Sequence, residues 1–247
     1  MPIAVYVLLT TLLMAGVAAQ AQEGGDTQAR IDYAYQTEDG NGLASLIQIL
    51  TAQVKNDEDD IAVRYHLAHA QYRFGQLSHA RHAHGAEGAF SDCIDQLKPV
   101  LDKNVKSAEA LTLQAACYLG LAELRVLQAV LLRTRAADRL KAALKLEPRN
   151  PRAVFLSAVQ EMQHAKPGSP ESRAFAQLQL AAQLFEQSSG TSIDAPGWGH
   201  AEAYLELGQK LQIRGDHLGA RNWIEKALIA APDYKAAQRQ LVLLAKP

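Results

Sequence analysis

This chain has two cysteines, and only 6% of its residues are aromatic. That scarcity excludes a small disulfide-framed fold. Charge of one sign is missing as well. Lys and Arg number 25 against 26 Asp and Glu, a formal net charge of −1. No global field therefore draws in nucleic acid or an acidic membrane. No alternating Val/Ile/Thr run is long enough to argue for a sheet. Gly-x-Ser-x-Gly and the phosphate-loop pattern are absent, and no hydroxyl has a neighbour to activate it, so the expectation is no enzyme and no cofactor.

What is present is alanine and leucine within a hydrophobic fraction of 48%, in a chain of 247 residues. Both residues favour helix, and the expected class is all-α. Residues 1–21 read as a signal peptide: Ile3–Val17 is apolar or small, and Ala19-Gln20-Ala21 is a small-x-small cleavage signal. Export to a periplasm or beyond follows, with no stable membrane span after cleavage and a mature start at Gln22. Residues 22–42 are polar and glycine-punctuated, a mostly disordered linker with one short helix near Gln28–Tyr35.

Residues 43–247 then carry helical periodicity. Leu43, Leu46, Ile47, Leu50 and Val54 share one face. Ile61–Phe74 is a helix ending at Gly75, followed by a long link, Gln76–Gly88, that carries His79, His82 and His84. Ala89–Leu101 follows with Pro99 inside it. A helix from Ala108 to about Leu132, a second one through Ala136, Leu140 and Ala143, and a helix over Ala153–His164 come next. Lys166-Pro167-Gly168 stops that helix, and Ser169-Pro170-Glu171 starts the next, Ser172–Gln187. Ser188–His200 is a Gly/Ser/Pro link. The histidines, with His66 and His69 three apart on one helix, have the chemistry of metal ligands. No carboxylate or Cys completes a local set, so no metal is expected.

The most specific stretch is Ala201–Tyr234, AEAYLELGQKLQIRGDHLGARNWIEKALIAAPDY. Tyr204, Leu207, Gly208 and Leu211 share a face before Gly215-Asp216, and Ala220, Ile224 and Ala227 share one after it. Small residues at Gly208, Ala220 and Ala227 allow close helix approach, while Tyr204, Leu211 and Ile224 fill the seam. Pro232 closes the unit.

This stretch closely resembles a tetratricopeptide repeat (TPR). The resemblance implies a right-handed α-solenoid of about four TPR-like helix pairs with flanking helices. It also implies that first helices line a concave surface that binds a protein or peptide. Carried over by position, the inward residues are Tyr65, His69, Tyr72 and Arg73; Arg152, Phe155, Val159 and Met162; and Glu202, Leu205, Gln209 and Gln212. Thr112, Ala116 and Leu119 lie between them. Trp198, among glycines before the last repeat, is placed to close one end of the groove. The function expected is an exported adaptor for a protein or peptide. The alternative is a periplasmic small-molecule carrier or transporter-associated subunit. Cys93 and Cys117 lie equidistant from a turn near residue 105, at matching heights on facing helices. A disulfide and two buried thiols are both open at this point.

Overall fold

The computed structural model describes residues 26–164, 172–188 and 197–245. The signal segment Ile3–Val17 with Ala19-Gln20-Ala21 lies outside the described residues. So do the stop at 166–168, the start signal at 169–171 and residues 189–196 of the last link.

Every regular element among the described residues is helical. In order they are α1 (26–36), α2 (Gly40–Asn56), α3 (Ile61–Ala80), α4 (Ala86–Lys103), α5 (Ala108–Leu124), a 3-10 turn at Val126–Gln128, α6 (Ala129–Leu146), α7 (Pro151–His164), α8 (Ser172–Ser188), α9 (His200–Ile213), α10 (His217–Ala230) and α11 (Lys235–Leu244). Helices α3 and α4, α5 and α6, α7 and α8, and α9 and α10 pack as consecutive antiparallel pairs. Helix α5 also adjoins both α3 and α7, which builds a solenoid with these three helices inside and α4, α6 and α8 outside.

Short polar side chains start these helices. Asp60 Oδ1 accepts from Ala62 N and Val63 N at 2.9 and 3.0 Å. Ser107 accepts from Ala110 N, Asn150 from Arg152 N and Ala153 N, and Asp216 from Gly219 N. Each satisfies first-turn amides that have no partner within the helix. In the last pair, a Cβ at Gly208 would stand 2.5 Å from Ile224 and 3.0 Å from the Ala220 carbonyl. The seam read from the sequence is therefore the contact between α9 and α10.

Four boundaries differ from the sequence reading. The short helix expected near Gln28–Tyr35 is present and spans 26–36, and it is packed rather than part of a disordered linker, because Ile31 (0% exposed) and Ala34 join α2 and α3 in one apolar cluster. Helix α3 runs through Gly75 to Ala80, held by the buried Leu77 and Ser78 beyond it. Helix α4 accordingly begins at Ala86. The expected long helix after Ala108 stops at Leu124, where Arg125 leaves helical geometry (φ −100°, ψ 73°). Cys93 on α4 and Cys117 on α5 are joined by a disulfide with Cα atoms 6.3 Å apart, both fully buried.

Candidate functional site

Helix α1 runs alongside α3 in the same direction, since Gln28 meets His69, Asp32 meets Arg73 and Glu38 meets Arg81. It lies over the stripe that the sequence placed on an open groove. His69 is 0% exposed, Arg73 1% and Tyr72 7%, and Tyr65 is half-buried. The expectation of an open surface on α3 is therefore corrected. Helix α1, the first of the described helices, covers this face.

Arg73 is the centre of the enclosed cluster. Its Nη2 lies 3.4 Å from Asp32 Oδ1 on α1 and pairs with Glu202 Oε1 on α9. Its guanidinium stacks 4.0 Å from the ring centroid of Tyr35, with Tyr72 and Trp198 rings at 5.7 and 6.0 Å. Glu202 is held by its other oxygen, Oε2, which accepts from Gly199 N at 3.0 Å. Burial alone would lower the Arg73 pKa, but Glu202 and Asp32 outweigh it and raise it. Burial pushes the Asp32 carboxyl up to about 6 against the pull of Arg73.

His69 is neutral here. Burial first, and then Arg73, holds its pKa well below the usual imidazole range. The Gln28 amide donates to Nδ1 at 3.2 Å, so the ring proton sits on Nε2, which faces Asp32 Oδ1 at 3.5 Å. Trp198, 2% exposed, lies 6.0 Å from both His69 and Tyr72 by ring centroid, and its Nε1 donates to Tyr65 Oη at 3.3 Å. Burial raises the Tyr65 and Tyr72 phenol pKa values. Arg152 on α7 completes the cluster. It is 6% exposed, donates to Glu109 at 3.1 Å and lies 5.7 Å from the Trp198 ring. The structure brings together Tyr65, His69, Tyr72, Arg73, Arg152 and Trp198, which the sequence reading spread along an open groove with Trp198 at its end. That reading missed Gln28, Asp32 and Tyr35 as members of the cluster, although it set a short helix there.

The other expected residues are spread along α7 and α9. Phe155, Val159 and Met162 are half-buried, as are Gln209 and Gln212, while Leu205 is buried at 6% exposure. Gln240 Nε2 on α11 donates to Gln212 Oε1. Thr112 and Ala116 are interior, and Leu119 packs on the same core. His79, His82 and His84 are exposed. Among the described residues no group of three or more His, Cys, Asp or Glu is arranged to hold a metal ion, and no helix is long and apolar enough to cross a membrane.

The cluster also sets a pH response. Unfolded His69 takes a proton below about pH 6.5 and the buried ring does not, so acidification favours unfolding by about 1.4 kcal/mol per pH unit for each such group. His66 and His200 are shifted down by burial in the same sense. Asp32 acts oppositely: between about 6 and its ordinary 3.8 the folded state holds a proton that the unfolded state has lost. Stability should fall as the pH drops below about 6.5, and between about 6 and 3.8 Asp32 should offset part of that fall. In Asp32→Asn the offset should be lost and the fall should steepen over that range. Urea midpoints across this range check both.

The inner row of parallel helices, the outer row packed behind it and the Gly208 seam together decide the architecture. The protein is a TPR-like solenoid. Among solved structures, it superposes on TTC0263, a thermophilic TPR protein of Thermus thermophilus, with a TM-score of 0.57 at 14% identity, over 88% of this chain and 98% of that one. MamA matches with a TM-score of 0.40 at 16% identity, covering 77% of this chain and 89% of its own. YrrB, described as a TPR protein with an unusual peptide-binding site, matches at 0.39 and 16%, covering 82% and 92%. No family model and no curated protein matches the sequence. In this TPR-like solenoid the inner row, open in part along α7 and α9, is filled over α3 by α1 and Trp198.

Proposed function

We propose that this protein is an exported helical-repeat adaptor that binds a protein or peptide along its concave side. The supporting observation is the strip of Phe155, Val159, Gln209 and Gln212 on α7 and α9, which remains partly exposed beside the filled α3 end. It is apolar and amide-lined, and suits an extended segment. Export is supported by Ile3–Val17 with Ala19-Gln20-Ala21 and by the Cys93–Cys117 bridge, a bond that persists in oxidising compartments. Intact mass from the native host should correspond to a chain starting at Gln22.

The test is capture from periplasmic extract with identification by mass spectrometry, repeated with Val159→Glu and Gln209→Arg. Each should weaken the captured complex about tenfold, near 1.4 kcal/mol, with little change in melting temperature. Capture of the same partner at full strength by both variants would remove the support for the α7 and α9 strip.

One observation favours the small-molecule alternative. Among the described residues, Arg73 Nε, Arg152 Nε and Glu109 Oε2 are buried without a hydrogen-bond partner in the enclosed cluster. Buried polar groups of this kind ordinarily have partners, and a polar ligand would supply them. A native mass spectrum of protein purified from its host discriminates, since a retained small ligand favours the carrier.

A further inference from the structure

Helix α5 ends at Leu124, and Arg125 leaves helical geometry before the 3-10 turn at Val126–Gln128. Helix α6 then packs on α5 with Ala129, Leu132, Ala136, Leu140 and Ala143 buried. Positions between these on the helix point away from the core. Those at its start are nevertheless apolar. Val126 and Val130 are 78% and 80% exposed, Leu131 is 53% exposed, and Leu127 is fully exposed. Singly exposed apolar residues are ordinary, but four within six residues make a patch. The patch is a knob and not a groove, since Leu127 keeps all of its surface in solvent.

The helix that carries the knob is cationic. Arg133, Arg135, Arg139, Lys141 and Lys145 stand on α6 against Asp138. The chain's net charge of −1 does not describe this helix. Beside the knob, Arg125 pairs with Glu87 at 2.7 Å and Arg133 with Glu123 at 3.2 Å, so the acids there are neutralised. Arg139, Lys141 and Lys145 form no ion pair with a described residue. Val130, Thr134, Lys141 and Lys145 follow at spacings of four, seven and four, one exposed stripe along the helix. Its far end borders a groove of about 700 Å³ between α6, α7 and α8, lined by Leu140, Leu144 and the two lysines.

We propose that residues 126–131 and the outer stripe of α6 dock the protein on an anionic lipid surface. The four apolar side chains enter the boundary between headgroups and acyl chains. Lys141 and Lys145 lie among the phosphates, and the groove gives a headgroup room beside them. The shape and charge of the surface select this occupant. A protein partner would need a cavity matched to the knob, whereas lipid closes around any projecting apolar shape. A second copy would return the same excess of cations. The surface belongs to the outer row, so it leaves the α7 and α9 strip free, and neither reading depends on the other.

Vesicle co-sedimentation tests this with the chain starting at Gln22, which keeps every described residue and removes Ile3–Val17 as a separate source of membrane affinity. Vesicles of mixed phosphatidylcholine and phosphatidylglycerol should bind it at least about tenfold more tightly than phosphatidylcholine alone, and less tightly as salt rises. Leu127→Glu should weaken that binding about tenfold or more, and so should Lys141→Gln with Lys145→Gln. All three side chains are exposed, so helicity by circular dichroism should be unchanged. The native cysteines are bridged, which leaves an added one free for labelling. A polarity-sensitive dye on Leu127→Cys should shift to the blue when mixed vesicles are added. The same dye on Ile229→Cys, an equally exposed apolar site on α10, should not. Equal affinity for both kinds of vesicle, full binding by Leu127→Glu, or equal shifts at the two dyes overturns the proposal. So does a dimer in sedimentation equilibrium that Leu127→Glu dissociates, since the knob then seats a second copy.

Discussion

Arg73→Ala should destabilise the protein by about 3–5 kcal/mol, because it leaves two carboxylates facing each other inside the molecule without their common cation. Arg73 is 1% exposed, and Asp32 and Glu202 both converge on its Nη2. The loss should appear as a fall in melting temperature of about 10 °C for a domain of this size. Had these side chains faced an open groove, the same substitution would have changed partner affinity and left stability nearly alone. Replacing the triad together, as Arg73→Met with Asp32→Asn and Glu202→Gln, should recover much of the loss, since no buried charge is then left unpaired. A melting temperature unmoved by Arg73→Ala would mean that the guanidinium is solvated and that α1 does not cover it.

Phe90→Ala is expected to cost about as much, 3–5 kcal/mol, through loss of transfer energy and the cavity left behind. Phe90 on α4 is 1% exposed and fits between two inner helices at points where neither has a side chain. A Cβ at Gly75 on α3 would stand 2.8 Å from its ring, and one at Gly120 on α5 would stand 2.5 Å from it. Gly75→Ala and Gly120→Ala should therefore each destabilise by about 1–3 kcal/mol through overpacking. In the Phe90→Ala background those costs should shrink or change sign. Residues in contact couple in this way, and a double-mutant cycle by urea unfolding measures it. Strict additivity would show that the ring does not occupy the notch.

The elements differ in how far they could be read from the residues. The pair from Ala201 to Tyr234 was legible because every position that matters there is either small at a contact or large and apolar in the seam. The helices from α2 to α8 followed from the same apolar spacing. Helix α1 was set near Gln28–Tyr35 within a stretch otherwise read as linker, but its docking on α3 was not legible, and the reason is physical. Its buried face presents Gln28 and Asp32 beside Ile31, because the surface it meets presents His69 and Arg73. Hydrophobic periodicity reports a face that leaves water for an apolar neighbour. It is blind to a polar face that leaves water for a polar one. The same blindness let Tyr72 and Arg73 read as surface anchors, since their types do not distinguish an open groove from one already filled. Trp198 was placed at the end of a groove and lies inside it, 3.3 Å from Tyr65 Oη; no spacing rule links two residues so far apart in sequence. The break at Arg125 and the exposed Val126, Leu127 and Val130 that follow it had no signal in the pattern, and nothing in the packing accounts for them.

The Cys93–Cys117 bridge joins the outer helix of one repeat to the inner helix of the next. A linear array of helix pairs ordinarily frays from its ends, each unit melting with only its neighbour's help. A covalent tie between units rather than within one removes that freedom locally, so the pairs α3–α4 and α5–α6 must open together or not at all. Hydrogen exchange would then find one slow block in the first half of the chain and graded protection in the second. Reduction of a single bond would turn that block back into two independently melting steps.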